Sequence, residues 1–283
     1  MVISEWDFIF WGVIFMDFLI YVLLLLIGGC FGGLMAGLLG VGGGIILTPI
    51  QYFLLLAYGV EPGIAMTTSF ATSLAVIFVT MIRGTMNHYK NGMVVTDYLV
   101  YIMVLGFIGA IVGAFVSVRV DVSILRLAFG ILCFFAVINM ILIKYPDNDD
   151  NISRSVLAHC LLGLIGGLLC GLLGVGGGII MIPILTIVLK YPTHKAIGTS
   201  SASIIATSLG GMIAYIVLGW NVSGLPAFSV GYVNVIQFVF LTLTSSLVAG
   251  YAANLSKKVD AYKLKIVHIL LVLYIGLKMV GVL

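Results

Sequence analysis

Apolar residues recur along this chain in stretches of about twenty, and most polar and charged residues fall between these stretches. A helix of about 20 apolar residues is long enough to cross the hydrocarbon core of a bilayer. The pattern predicts ten helical segments, at about residues 18–39, 44–58, 63–83, 93–118, 122–144, 155–173, 178–190, 195–219, 228–253 and 261–282. The predicted fold class is therefore all-α. The chain is predicted to be a polytopic membrane protein, with the lipid bilayer as one of its partners.

Composition supports the membrane assignment and excludes several function classes. Hydrophobic residues make up 62% of the 283 positions and charged residues 8%, whereas a soluble domain carries about 25% charged residues. The net charge of +3 is too small to indicate a nucleic-acid partner. The four cysteines lie in apolar runs without CxxC spacing, so neither a metal site nor a cofactor is predicted.

The most specific feature is a ten-residue string that occurs twice. Residues 37–46 and 171–180 both read Gly-Leu-Leu-Gly-Val-Gly-Gly-Gly-Ile-Ile, and a proline, Pro49 or Pro183, follows each copy at the same distance. A second match, between residues 65–72 and 196–203, extends the similarity. The sequence therefore predicts two transmembrane repeats, residues 1–146 and 155–283, joined by a polar linker at 147–154.

The glycines of each string disfavour a continuous helix, because glycine gains the most conformational freedom on unfolding. The segment at 44–58 would reach only about 22 Å, against a hydrocarbon core of about 30 Å. It and its counterpart at 178–190 are expected to be half-helices or re-entrant pieces. A single bent helix over residues 18–58 would be about 60 Å long, which argues against it.

Charge placement predicts the topology. If each segment carries the chain to the other face, ten of the 13 lysines and arginines fall on one face, namely Arg83, Lys90, Lys144, Arg154, Lys190, Lys195, Lys257, Lys258, Lys263 and Lys265. Such a face is cytoplasmic by the positive-inside rule. Both termini are then expected outside. Loop 59–62 carries Glu61 while its counterpart carries lysines, and opposite charge in equivalent loops indicates inverted repeats.

The glycine strings predict an anion site. A helix is expected to begin near Ile45 and near Ile179, and the first amides of a helix lack partners within it and carry partial positive charge. In an inverted repeat the two helix starts would converge near the bilayer midplane. Matched hydroxyls follow in each half. The predicted substrate-binding residues are Gly42, Gly43, Gly44, Thr68, Ser69, Gly176, Gly177, Gly178, Thr199 and Ser200.

Other interpretations compete with this one. GxxxG spacings such as Gly33 with Gly37 are typical of close helix packing. Buried serine and threonine often bond their own helix backbone. Ser73 has no hydroxyl counterpart, because Ile204 occupies the matching position, and it is not predicted to line the site. Catalytic motifs such as GxSxG and HExxH are absent from the sequence, so no enzymatic activity is predicted.

The doubled string with its prolines, together with residues 194–200 (His-Lys-Ala-Ile-Gly-Thr-Ser), resembles the sulfite exporter TauE/SafE family of bacterial and archaeal permeases. The resemblance covers nearly the whole chain. It implies a location in the prokaryotic inner membrane and a small sulfur-containing anion, such as sulfite or an organosulfonate, as an exported substrate. The first hypothesis is a secondary transporter with alternating access. The alternative is a passive channel or membrane scaffold whose glycines serve packing; a homo-oligomer is compatible with either.

Overall fold

The computed structural model describes residues 5–39, 42–142, 152–255 and 261–282, and these ranges are mostly helical. The helices are α1 (Glu5–Leu39), α2 (Gly44–Ala57), α3 (Pro62–Lys90), α4 (Leu99–Ser117), α5 (Val122–Leu142), α6 (Val156–Leu173), α7 (Gly178–Pro183), α8 (Thr193–Leu218), α9 (Val235–Leu255) and α10 (Ala261–Val280). A π-helical turn, Ile184–Val188, continues α7. Six of the described helices, α3, α4, α5, α6, α8 and α9, are long and apolar enough to cross a membrane. The prediction of an all-α polytopic protein is confirmed.

Boundaries differ from the predicted ones where the sequence lacks a local stop signal. Helix α1 begins at Glu5 rather than near residue 18, and α3 continues to Lys90. The start of α3 is sharp because Glu61 accepts a hydrogen bond from the Ile64 amide at 2.9 Å and proline follows at the first position. Helix α9 is preceded by a short antiparallel pair, β1 (Ser229–Val230) and β2 (Val233–Asn234). The predicted linker at 147–154 lies largely outside the described residues.

The first glycine string reverses the chain. Helix α2 packs back along α1 in the antiparallel direction, with Leu47 against Gly32 and Ile50 against Gly28. Gly43, at the turn, lies beside the Gly32 carbonyl. The chain therefore runs down α1 to Leu39 and returns, so α2 is a half-helix that starts in the interior of the molecule.

The second string repeats this arrangement. Met181 of α7 lies against Gly166 of α6, and Gly177 approaches the Gly166 carbonyl. These contacts match those of the first string position by position, at the offset of the repeated sequence. The predicted interruption of the helices at both strings is confirmed, and a single helix over residues 18–58 is excluded.

The most extensive helix contacts join the two halves. In α1, glycines at four-residue spacing face α9: Gly29 lies against Leu241, Gly33 against Ser245 and Gly37 against Ala249. In α6, the equivalent glycines face α4: Gly163 lies against Ile102, Gly167 against Gly106 and Gly171 against Ala110. Both pairs are parallel. Since a side chain at these positions would meet the partner's backbone, these glycines serve close helix approach.

Helices α3 and α8 cross between the two parallel pairs. Leu74 of α3 lies against Gly211 of α8, while Ile77 clusters with Ile204, so the two helices run in opposite directions. Helix α3 also packs on α9, and α8 on α4. Six of the described helices thus form two bundles, α1–α3–α9 and α4–α6–α8, which meet at the α3/α8 crossing.

Several helix ends that carry basic residues lie on one face of the molecule. The Val95 amide donates to Thr199 Oγ1 at 3.0 Å, and the Ser153 amide donates to the Leu189 carbonyl at 3.0 Å. These contacts bring together the end of α3, the starts of α4, α6 and α8, and the end of the π-helical turn. We call this the basic face, since Arg83, Lys90, Arg154, Lys190 and Lys195 lie at these helix ends.

Candidate functional site

Each glycine string ends in a backbone turn that only glycine adopts easily. Gly42 and Gly43 have φ angles of 88° and 71°, and Gly176 and Gly177 have φ angles of 77° and 76°. These values lie in the left-handed region, which is costly for residues with a Cβ. Gly43 and Gly177 are the N-caps of α2 and α7. We call residues 42–44 and 174–178 the first and second glycine turns.

The two glycine turns lie against each other in the interior. A Cβ placed on Gly42 would lie 4.0 Å from the Gly176 Cα, and one on Gly44 would lie 2.8 Å from the Gly174 carbonyl oxygen. Thr48 in the first turn of α2 donates a hydrogen bond to that same carbonyl at 3.3 Å. Two stretches of chain 134 positions apart in the repeat therefore meet at one place.

Two helix starts accompany the turns. In α2 the amides of Ile46 and Leu47 both donate to the Gly43 carbonyl at 3.1 Å, and in α7 the equivalent amides donate to the Gly177 carbonyl. The backbone amides just before these lie in the first turn of each helix, where an amide has no carbonyl partner within the helix. Each helix start contributes partial positive charge without a charged side chain. Such an arrangement is suited to a small anion.

Apolar side chains cover the turns in this conformation. The Ile77 side chain lies 3.4 Å from the Cβ positions of both Gly42 and Gly176, and Ile204 lies 3.6 Å from that of Gly176. Ile77 and Ile204 are fully buried. Ile77 and Ile204 therefore cover the turns on the side of α3 and α8.

The predicted hydroxyls lie farther along the helices. Thr199 accepts from the Val95 amide near the basic face, and Ser69 donates to the Ala65 carbonyl of its own helix at 2.7 Å. Thr68 and Ser200 are fully buried, and their hydroxyls have no hydrogen-bond partner among the described residues. One hydroxyl in each half is thus uncommitted.

Thr68 and Thr199 lie apart from the glycine turns, whereas Ser200, four residues before Ile204, lies one helical turn from a residue that contacts the second turn. Thr68 precedes Ile77 by nine residues of α3, which is about 14 Å at the helical rise, and Thr199 precedes Ile204 by five residues of α8, about 8 Å. Because α3 and α8 run in opposite directions, the two threonines lie on opposite sides of the turns. Thr68 and Thr199 are therefore too far apart to contact one small ligand together.

Ser73 lies on the α3 face that meets the turns, although sequence reasoning left it out. It is four residues before Ile77 and three after Phe70, whose Cα approaches Gly174, so it shares the α3 face that meets the turns. Its side chain is fully buried and its hydroxyl has no partner among the described residues. The order Ser-x-x-x-Ile at 73–77 becomes Ile-x-x-x-Ser at 204–208, and this reversal was the available signal.

Two ionisable side chains in the helices, His159 and Arg126, have structural partners. His159 bonds the Ser155 carbonyl through Nδ1 at 2.7 Å and the Tyr191 hydroxyl through Nε2 at 3.0 Å. Arg126 donates to the Met279 carbonyl at 3.2 Å. Within the described residues, no group of three or more His, Cys, Asp or Glu could hold a metal ion.

Comparison with known proteins gives the family. The sequence profile described as Sulfite exporter TauE/SafE matches residues 25–279. A probable membrane transporter protein of Haemophilus influenzae is 29% identical over 87% of this chain and 92% of its own length. One of Methanocaldococcus jannaschii is 29% identical over 88% of this chain and 92% of its own length. No solved structure matches the chain significantly. The chain belongs to the TauE/SafE family and is a membrane transporter of that type.

Proposed function

We propose that this TauE/SafE family member exports small sulfur-containing anions, such as sulfite or organosulfonates, and binds them between its two glycine turns. The observation that carries the proposal is the contact of the two turns, with a helix start at each. A site of this kind attracts negative charge from two directions. The family description names sulfite export, and that substrate class fits the chemistry.

The binding chemistry rests on neutral donors. Backbone amides at Gly44 and Gly178 and the hydroxyl of Ser73 would donate to the oxygens of the anion once Ile77 has moved aside. Neutral donors avoid the cost of burying a permanent positive charge in the membrane interior. They also release the anion more readily than a buried arginine would, and release is part of every transport cycle.

Alternating access is proposed to occur between two inverted repeats, residues 1–146 and 155–283. The antiparallel crossing of α3 with α8 supports the inversion, because these helices hold equivalent places in the two repeats. Further support comes from the parallel pairs α1–α9 and α4–α6, because each joins a helix of one repeat to a helix of the other and the two pairs hold equivalent places. The moving bodies would then be the bundles α1–α3–α9 and α4–α6–α8, each built from both repeats, which separate at the α3/α8 crossing.

The basic face is proposed to be cytoplasmic and both termini external, in a cell membrane. Support comes from the gathering of the described basic helix ends on one face and from the positive-inside rule. Export would then run from the basic face, past the glycine turns, to the opposite face.

Counterflow tests the function. Purified protein in liposomes loaded with unlabelled sulfite should accumulate external labelled sulfite transiently, with saturation. With the membrane potential clamped at zero by equal potassium concentrations and valinomycin, a channel gives no such overshoot, and a scaffold gives no uptake. Sulfate, thiosulfate, taurine and sulfoacetate, supplied as competitors, rank the substrates. Absence of counterflow with every one of these anions would overturn the proposed substrate class.

Replacing a turn glycine is a poor test of the same site. A side chain at Gly43 would occupy left-handed backbone and meet the Gly32 carbonyl. A Gly43→Val variant would therefore disturb folding whether or not an anion binds there. Side chains beside the turns are better probes.

A further inference from the structure

Two neighbouring cavities lie where α3 meets α9 at the basic face. The outer groove has a volume of about 360 Å³ and is lined by Arg83, Lys90, Ser246 and Tyr251 among others. The inner cavity is narrow, about 20 Å³, and its lining includes Thr80, His88 and Ser201. Arg83, Asn87 and Gly250 line both. The two cavities are therefore consecutive, with Arg83 at their junction.

The linings suit a small anion. The outer groove presents Arg83 and Lys90, and the described residues that line either cavity include no aspartate or glutamate. Arg83 is exposed, and its contact with Ser246 is long, at 3.5 Å, so the guanidinium retains donors for a ligand. Farther in, the hydroxyls of Thr80 and Ser201 donate to the Val76 and Ile197 carbonyls of their own helices. Charge thus gives way to neutral polar groups from the surface toward the interior.

The inner cavity ends at an apolar barrier in front of the glycine turns. Met81 lines the cavity and belongs to one buried cluster with Ala36, Ile77 and Ile204. Ile77 and Ile204 contact the second glycine turn on the far side. We call Ile77, Met81 and Ile204 the apolar gate. It lies at the α3/α8 crossing, where the two bundles meet.

We infer that the outer groove and the inner cavity are the cytoplasmic entry pathway for the anion, with Arg83 as the attracting residue and the apolar gate as its inner closure. This inference rests on the proposed anion site at the glycine turns. It adds a second anion-binding position, at the Arg83 junction, and a specific barrier whose opening joins that position to the turns.

Arg83 also donates to the Ser246 hydroxyl of α9, a contact that holds α3 to α9 whether or not an anion binds. The test must separate this structural role from anion attraction. In inverted membrane vesicles, which expose the basic face, Arg83→Gln should raise the KM for sulfite about tenfold. The maximal rate should stay within about twofold of the parent. Arg83→Lys, which keeps the charge, should restore most of the affinity.

Arg119→Gln is the matched control. Arg119 lies near the opposite face and donates to the Phe115 carbonyl of its own helix at 2.8 Å, so its loss removes the same charge away from the pathway. The KM should then be unchanged. An unchanged KM in Arg83→Gln, or equal increases of KM in both variants, would overturn the role of Arg83. Sulfite transport would still be saturable in that case, so the proposed function would stand.

Thiol labelling tests the pathway without any transport. Ser201→Cys lies in the inner cavity and Ser73→Cys lies beyond the gate. Each labelling rate is divided by the rate of the same reagent with a free thiol in solution. On this scale Ser201→Cys should react faster with an anionic sulfonate methanethiosulfonate than with the cationic trimethylammonium reagent. Adding Arg83→Gln should remove this preference. With the labelling of the parent chain subtracted, Ser201→Cys should react about tenfold faster than Ser73→Cys. Equal rates would exclude the gate, and a cationic preference would exclude the pathway.

Discussion

Removing the Ser73 hydroxyl should have opposite effects on the free and the anion-bound protein. The hydroxyl is fully buried, lies on the α3 face that meets the glycine turns, and has no hydrogen-bond partner among the described residues. An unsatisfied buried polar group costs about 1–3 kcal/mol. Ser73→Ala should therefore leave the unfolding temperature of the free protein unchanged or raise it.

The bound state should lose affinity. A hydrogen bond to a charged partner contributes about 1.5–3 kcal/mol, which corresponds to a weakening of about 10- to 150-fold in Kd. At an anion concentration of about 100 times the parent Kd, binding stabilises the folded protein by about 2.7 kcal/mol. A tenfold weaker Kd reduces this to about 1.4 kcal/mol.

Thermal unfolding in detergent, with and without sulfite, measures both effects. Ser208→Ala is the control, because Ser208 is equally buried but donates to the Ile204 carbonyl at 2.6 Å. It should lower the stability of the free protein and keep the sulfite-induced increase. If Ser73→Ala keeps the full sulfite-induced increase, or if both variants lose it equally, the hydroxyl does not contact the anion.

Three further changes test the fold. Gly167→Ala places a methyl against the Gly106 carbonyl and should lower the free energy of unfolding by about 1–3 kcal/mol. Gly250→Ala is the control, because its methyl meets nothing within 4 Å, and it should leave the stability unchanged. Chemical unfolding measures both variants. Tyr191→Phe removes the partner of His159 Nε2 and should cost about 1–3 kcal/mol in the same assay. Hydrogen bonds from the amides of Gly63 and Ile64 hold the pKa of Glu61 below its ordinary 4.5. The carboxylate therefore stabilises the folded protein above about pH 4.5, and this stabilisation disappears as the pH falls through the lowered pKa. Glu61→Gln should therefore weaken the loss of stability on acidification, as measured by thermal unfolding from about pH 6 to pH 3.

The sequence predicted those parts of the fold that local chemistry determines. Helices α2 and α7 begin at Gly44 and Gly178, one residue before the expected starts, because the φ angles at the preceding glycines end the helix locally. Helix partners are a tertiary property. GxxxG spacing indicated that Gly33 and Gly37 serve packing, but nothing local showed that they face α9 rather than another helix of the same repeat.

The candidate site was only partly accessible from sequence. Requiring matched hydroxyls in both repeats selected Thr68 and Thr199, which lie about 14 Å and 8 Å along their helices from the gate residues. The same requirement rejected Ser73, because Ile204 is its counterpart. At the crossing of α3 and α8 the two repeats differ, since Ser73 in one stands where Ile204 stands in the other, and a comparison that requires matched hydroxyls cannot select such a position.

The exchanged pairing of α1 with α9 has a consequence for how the protein is made. The contact between Gly29 and Leu241 joins positions roughly 200 residues apart, and synthesis at about 5–20 residues per second separates their emergence by about 10–40 seconds. During that interval the glycine-lined surface of α1 has no partner within the nascent chain. The insertion machinery, a chaperone or lipid must shield it until the last quarter of the protein has entered the bilayer.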